Sequence, residues 1–239
     1  MFAPTAPLLA LDTGSPQVSV ALDRGGEIAA FRVAAMERSS NQVLEMMREV
    51  LAETGTRPAD LGGVVALRGP GSFTGVRIGL ATALGFHQAL GLLATGVSTF
   101  EMLAEAADAA EGSVTLAVVD ALRGEWSVQA FSGGQIPVAL GDPALVAGAA
   151  IPDLFDRLGA PPEGRIVAGF DLDRLAALPE WPREVRWFTP DAERPLAVVA
   201  ALGATRPSLV WDAGLLVAPI YARPPAVTLP RPRTPVGPA

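Results

Sequence analysis

Several residue types are missing or nearly missing from this chain of 239 residues, and each absence excludes a kind of chemistry. There is no cysteine, which excludes disulfide bonds, thiol catalysis and thiolate metal sites. There is no lysine, so neither Schiff-base chemistry nor a lysine-dependent phosphate loop is possible. His87 is the single histidine, and a metal site with two imidazole ligands is therefore excluded.

Long apolar runs and basic clusters are missing as well. No apolar stretch approaches the ~20 residues that span a bilayer, and Met1–Pro7 lacks the basic region of a signal peptide, so we expect a cytoplasmic protein. The 18 basic residues, all arginine, are scattered and outnumbered by 25 acidic residues, which gives a net charge of −7. Because nucleic-acid affinity depends on basic surfaces, we expect any contact with RNA to be made through a partner.

The order of apolar segments indicates an α/β protein with a partial internal repeat. The first hundred or so residues read as three strands, a helix, a strand, a helix, a strand and a helix. A similar pattern restarts later, because an apolar strand ending in Asp120 mirrors one ending in Asp12. We predict one lobe over residues 1–110 and a smaller lobe over 111–218, whose last helix can pack back on the first lobe. Residues 219–239 are rich in proline and predict an extended, loosely held tail.

The most informative segment is the glycine-rich stretch Arg68–Gly79, which joins a predicted strand to a helix over about 74–90. Gly69, Gly71 and Ser72 could form a tight turn whose free N–H groups face an anion. The stretch is not a Walker A loop, since no lysine follows its last glycine, and its glycine spacing does not match Gly-x-Gly-x-x-Gly.

A second turn, with the sequence Asp12-Thr13-Gly14-Ser15, follows the first apolar strand. One interpretation is an aspartic protease, but the second copy would be Trp211–Gly214, which lacks a hydroxyl residue after its aspartate. Another is the first phosphate loop of sugar kinases and actin-like ATPases, and a third is an ordinary strand-ending turn. Both turns together would make a weak or vestigial nucleotide site of Asp12, Thr13, Gly14, Gly69, Gly71 and Ser72.

The helix after the glycine turn carries a stripe of small residues, Gly75, Gly79 and Ala83, spaced four apart. Such a stripe lets another helix approach closely. Met46 and Met47 on the preceding helix could join the same surface, because methionine side chains adapt to partners. The residues leave two alternatives open, which are contact with a partner and packing inside the chain.

Several segments together resemble the TsaB (YeaZ) family. They are Leu9–Ser15, Leu67–Thr82, Gly96–Glu101, Asp120–Glu125 and Pro219–Arg223, the last being similar to a C-terminal Pro-x-Tyr-x-Arg motif. The Gly-Pro-Gly-Ser-Phe-Thr-Gly-Val-Arg block within the second segment is highly specific. The resemblance is dense over residues 8–131 and thin over about 132–218.

The resemblance implies an actin-like, sugar-kinase-like (ASKHA) fold with duplicated βββαβαβα-type lobes and a non-catalytic role. Family members pair with TsaD, a catalytic paralogue that holds ATP and a metal and modifies the adenosine next to the tRNA anticodon. A small ATPase subunit, TsaE, joins the complex. The resemblance thus implies no cofactor in this chain, tRNA contact only through the complex, and homodimers when the partner is absent.

The resemblance also implies a pairing surface on the first two helices. Its residues would be Val43, Met46, Met47, Val50, Gly75, Val76, Gly79, Leu80 and Ala83. The chain departs from the family where a His-Ser-Glu-x-Leu-Leu-Pro run enters the first helix, because Ser39 replaces the histidine and Glu45 the proline. The alternative function is a sugar-kinase-like phosphotransferase that binds ATP at Asp12 and the Gly69–Gly75 turn.

Overall fold

Apolar runs near the start of the chain form a five-stranded sheet in the order β3-β2-β1-β4-β5. The computed structural model describes residues 6–35, 40–205 and 209–223. The strands are β1 (Leu8–Asp12), β2 (Gln17–Asp23), β3 (Ile28–Ala35), β4 (Gly63–Leu67) and β5 (Leu93–Val97). The strand β2 runs antiparallel to its neighbours β1 and β3, and β4 and β5 run parallel to β1. Both faces of β1 and β4 are covered, which explains their unbroken apolar sequences.

Three helices belong to this first part of the chain, namely α1 (Ser40–Glu53), α2 (Phe73–Leu90) and α3 (Thr99–Ala106). The side chain of Ser72 caps the start of α2, and Gly91 ends the helix in the left-handed region with φ 66°. Ser98 and Glu101 form a capping box at the start of α3. Apolar residues of α1 and α2 share one core cluster with one face of the sheet, so both helices cover that face.

The second lobe repeats this arrangement on a six-stranded sheet in the order β11-β10-β6-β7-β8, with β9 also pairing to β7. Its strands are β6 (Val114–Asp120), β7 (Glu125–Ser132), β8 (Val138–Ala139), β9 (Ala144–Ala147), β10 (Arg165–Gly169) and β11 (Arg186–Phe188). Its helices are α4 (Pro152–Arg157), α5 (Asp173–Ala176) and α6 (Leu196–Ala204). The duplicated βββαβαβα pattern is confirmed, with the third strand of the second copy split into β8 and β9.

The helices α3 and α6 lie between the two sheets and hold the lobes together. One core cluster joins residues of both helices to residues of both sheets. The helix α6 packs on β1 and β2, whereas α3 contacts β6, β7 and β10. The backbone N–H of Ala197, in α6, donates to Ser19 Oγ in β2 at 3.3 Å. The helix α6 is apolar around its whole circumference, since strands of the first sheet and the helix α3 pack against it.

Differences from the predicted elements are small and have local causes. The sequence pattern of α3 continues to about residue 110, but the helix ends at Ala106, because Asp108 adopts a positive φ of 47° and the chain turns there. The short apolar run at 138–140, which by pattern could continue the strand before it, turns back as β8 and pairs antiparallel with β7. Within the described ranges no helix is both long and apolar enough to cross a membrane. Ser39 and residues 224–239 lie outside those ranges.

Candidate functional site

The turn after β1 is organised around the buried carboxyl group of Asp12. Its Oδ1 accepts hydrogen bonds from the N–H groups of Gly14 at 3.0 Å and Ser15 at 3.1 Å. Burial raises the pKa of Asp12 to about 6, although these N–H donors act in the opposite direction. The hydroxyl of Thr13 donates to the Gly75 carbonyl at 2.7 Å. The turn is thereby attached to the first residues of α2.

The glycine turn packs directly against this first turn, backbone to backbone. The N–H of Ser72 donates to the Gly14 carbonyl at 2.8 Å. A Cβ atom on Gly71 would overlap the same carbonyl oxygen, and one on Gly79 would overlap Thr13 Oγ1. Glycine is therefore needed at both positions because another part of the chain occupies the space of a side chain.

Gly69 is required for a second reason, since its φ of 93° lies in a region that other residues rarely adopt. A Cβ atom there would also collide with the carbonyl oxygen of Ile220. The glycines of this segment thus serve close packing on two sides.

Several N–H groups around the predicted nucleotide site already have acceptors within the chain. The N–H groups of Gly14, Ser15, Ser72, Gly75 and Val76 all donate within the chain. Protein acceptors already occupy the donors that would form an anion cradle at these positions. In the described part of the chain, the two turns are therefore a packing unit.

A cleft of about 720 Å³ lies between the lobes, next to these turns. Of the six residues predicted for a nucleotide site, Gly14, Gly71 and Ser72 line the cleft, whereas Asp12, Thr13 and Gly69 do not. The turns after β1, β4, β6 and β10 all contribute to its walls, which is where open α/β sheets usually hold ligands.

Asp120, at the end of β6, is one of two carboxylates of the second lobe that line the cleft. Its Oδ1 accepts the N–H of Leu122 at 2.7 Å, and its Oδ2 pairs with Arg174 at 3.1 Å. It thus occupies the same position in its lobe as Asp12 in the first, but it is only half-buried and has an arginine partner.

Residues 219–223 follow the edge of the cleft and are fixed to the first lobe. The N–H of Ile220 donates to the Arg68 carbonyl at 2.7 Å. The ring of Tyr221 stacks on Phe73, with 5.3 Å between centroids, and its hydroxyl accepts from Arg77 at 2.9 Å. This part of the predicted tail is therefore not loosely held.

The same segment is also fixed to the second lobe through Arg223. Its guanidinium donates to the carbonyl of Ala121 at 3.1 Å and to Glu125 Oε2 at 2.6 Å. Residues 219–223 therefore bridge the lobes. The Pro-x-Tyr-x-Arg motif was the sequence signal for this bridge, but it did not indicate what the tyrosine and arginine contact.

The nine residues predicted as a partner interface lie on the inner faces of α1 and α2. All nine are buried within the chain against the first sheet: Val43, Met46, Met47, Val50, Gly75, Val76, Gly79, Leu80 and Ala83. Their side chains are therefore used in packing within the first lobe, and the assignment of these nine residues to a partner interface stays a prediction. The small-residue stripe lets α2 approach the turn after β1, as the space around Gly79 shows.

The outer faces of these helices carry different residues. On α2, Ala81, Gly85 and Ala89 are exposed and spaced four apart, and nothing lies within 4 Å of the position of a Gly85 Cβ. Beside this stripe is a shallow apolar groove of about 450 Å³, formed with residues 216–221. On α1, Leu44 is exposed among charged side chains. Within the described ranges, no cluster of histidine, aspartate or glutamate side chains could hold a metal ion.

Comparison with known proteins places these features in a family. A family model described as TsaD, tRNA N6-adenosine threonylcarbamoyltransferase, matches residues 33–147. The tRNA threonylcarbamoyladenosine biosynthesis protein TsaB of Escherichia coli is 37% identical over 119 residues, 49% of this chain and 52% of that protein. The Bacillus subtilis protein of the same name is 30% identical over 119 residues. The chain thus spans about half the length of the curated relatives it matches.

Solved structures extend the similarity to the whole fold. YeaZ from Pseudomonas aeruginosa is 25% identical, with a TM-score of 0.70 over 90% of this chain and 99% of that one. An activator of 2-hydroxyisocaproyl-CoA dehydratase from Clostridium difficile, solved with bound ADPNP, shares the fold at 11% identity with a TM-score of 0.51.

The duplicated lobes and the cleft between them define a protein of the actin-like, sugar-kinase-like (ASKHA) class, which confirms the predicted fold. The identity to the curated TsaB proteins over about half the chain and the similarity to YeaZ over nearly the whole fold support the TsaB (YeaZ) family for this chain.

Proposed function

We propose that this chain is a non-catalytic scaffold subunit in the biosynthesis of threonylcarbamoyladenosine in tRNA. It would pair with a TsaD subunit, which transfers threonylcarbamoyl to the adenosine next to the anticodon, and TsaE would join them in the cytoplasm. The observation that carries this proposal is the 37% identity to E. coli TsaB. With a net charge of −7 the chain would meet tRNA through the complex rather than alone.

The arrangement of titratable groups supports a scaffold rather than the alternative phosphotransferase. The Asp12 carboxyl is buried and accepts hydrogen bonds from N–H groups of its own turn, and Asp120 is paired with Arg174. The N–H groups that surround Asp12 in its turn, those of Gly14 and Ser15, donate to its own carboxylate and are not available to orient a phosphate. The single histidine, His87, lies on α2 with its Nδ1 at 2.8 Å from the Leu92 carbonyl, far along the helix from the cleft residue Phe73.

The outer face of α2 is the surface that we propose for pairing. Ala81 and Gly85 have little side-chain bulk, so a partner helix could approach the backbone closely there. The neighbouring groove, lined by Leu84 and Val217 among others, offers apolar surface to bury. The same face could join two copies of this chain when TsaD is absent.

An arginine on this face should disrupt the complex. We expect Ala81→Arg to weaken binding to the cognate TsaD by more than tenfold, because a bulky charge would be forced into a close helix contact without a partner. The measurement is co-purification of the two proteins, followed by titration calorimetry with each purified component.

The matched control is Ala176→Arg, which places the same exposed helical change on α5 in the second lobe. It should bind TsaD like the wild type. Equal affinity of Ala81→Arg and wild type would contradict the proposed surface, and failure of the wild type to bind TsaD would contradict the proposed function.

A further inference from the structure

We propose that the cleft between the lobes binds an uncharged, planar aromatic molecule and discriminates against phosphorylated nucleotides. Its volume of about 720 Å³ is suited to a small organic ligand. This inference concerns the cleft alone and does not depend on the pairing surface on α2.

The walls of the cleft favour an aromatic ligand. The rings of Phe73 and Tyr221 stack on each other at its edge, and both line it. The side chain of Leu122 projects from the opposite lobe and is 68% exposed. A flat apolar ring would remove these surfaces from water and could extend the aromatic stack.

The wall also contains a hydroxyl that needs a partner. Thr99, the first residue of α3, is only 2% exposed and lines the cleft. Its Oγ1 is fully buried and has no hydrogen-bond partner among the described residues. A buried hydroxyl without a partner is unfavourable, so a ligand that offers it a neutral donor or acceptor would gain from the contact. The buried residue Ser15 lines the same cleft.

The charges of the cleft argue against a phosphate. Two carboxylates, Asp120 and Asp171, and two guanidinium groups, Arg123 and Arg223, line it. Arg223 is already paired with Glu125. The lining therefore carries no excess of positive charge, and the N–H groups of Gly14, Ser15 and Ser72, which line it, donate within the chain. A triphosphate entering here would lose its hydration with few donors to replace it.

The test compares adenosine with ATP, because the two share one planar base and differ in charge. We expect titration calorimetry of the full chain to show adenosine binding at least tenfold more tightly than ATP. Thr99→Val removes only the hydroxyl and should weaken adenosine binding about fivefold. Thr115→Val is the matched control, since Thr115 is equally buried with an unpartnered Oγ1 but does not line the cleft. Its affinity for adenosine should equal that of the wild type.

A measurement on the wild type keeps the test independent of the variants' folding. Tyr221 is the only tyrosine of the chain, so its ring protons are identifiable, and adenine protons should show intermolecular NOEs to them. ATP binding as tightly as adenosine, no saturable adenosine binding, equal affinity of Thr99→Val and wild type, or bound adenosine without NOEs to Tyr221 would each overturn the proposal. Ala81→Arg should bind adenosine normally, which separates this outcome from failure of the pairing surface.

Discussion

Replacing Gly71 by alanine is expected to lower the free energy of unfolding by about 3 kcal/mol. The new methyl group would overlap the Gly14 carbonyl oxygen, which belongs to backbone and cannot rotate away as a side chain would. Relief would require the two turns to separate, and that would break the hydrogen bond from the Ser72 N–H to the same oxygen. Urea denaturation of the variant and the wild type, followed by circular dichroism, measures the difference.

The control for this prediction is Gly85→Ala, in the exposed middle of α2. Nothing lies within 4 Å of its Cβ position, so alanine should stabilise the helix by about 0.5–1 kcal/mol through its better helix propensity. The two glycine-to-alanine changes should thus have opposite signs. A loss below 1 kcal/mol for Gly71→Ala would show that the turns are not in the close contact described here.

Replacing Asp12 by asparagine is expected to remove a pH dependence of stability that the wild type shows between about pH 4 and pH 7. Burial raises the pKa of Asp12 to about 6 in the folded chain, whereas an unfolded aspartate titrates near 3.9. In this interval the folded state binds more protons, so the stabilising effect is complete at low pH and is lost as the pH rises through 6. The loss in the wild type should amount to about 3 kcal/mol.

Asparagine keeps an oxygen that can accept the N–H groups of Gly14 and Ser15, but it does not titrate. Burial also raises the pKa of Asp23, which both proteins retain, so the quantity to compare is the difference between their stability curves. The control is Asp60→Asn, because hydrogen bonds from Arg57 lower the pKa of Asp60 to about 2, outside the interval. Parallel curves for wild type and Asp12→Asn would contradict the assigned pKa of Asp12.

Much of the fold could be predicted from local patterns. The apolar runs of β1 and β4 and the helical spacing of α2 are strong signals because each element is long or is buried on both faces. The recurrence of a strand ending in aspartate correctly indicated the duplication. Short elements such as β9 and α5 were not predicted, because four residues carry too little periodicity and their positions depend on packing against the second sheet.

The candidate site was less accessible to sequence reasoning. The spacing of Gly75, Gly79 and Ala83 correctly marked a place of close approach, but the neighbour is the turn that contains Thr13 rather than another protein. A second stripe of the same spacing, Ala81, Gly85 and Ala89, lies on the opposite face of α2 and is the exposed one. Small residues at helical spacing indicate that one face of a helix lacks bulky side chains. They do not indicate which face the rest of the chain covers.

The cleft was even harder to predict from the sequence, because residues far apart in the chain form it. Thr99, Leu122 and Tyr221 line it together although they are far apart in sequence, and nothing in their local sequence indicates a shared site. The bridge from Tyr221 to Phe73 and from Arg223 to Glu125 likewise depends on how the lobes meet.

By itself, the sequence determined the chemistry that is excluded, the two-lobed class and the family, because these depend on residue types and on segments contiguous in the chain. The tertiary structure decided the use of the glycine turn. The Gly14 carbonyl accepts the Ser72 N–H, and Gly14, Thr13 and Ile220 occupy the space of a side chain at three glycines of the segment; only folding brings these residues alongside. A glycine loop holds an anion through free donors, and here the folded chain already engages the N–H groups of Ser72, Gly75 and Val76.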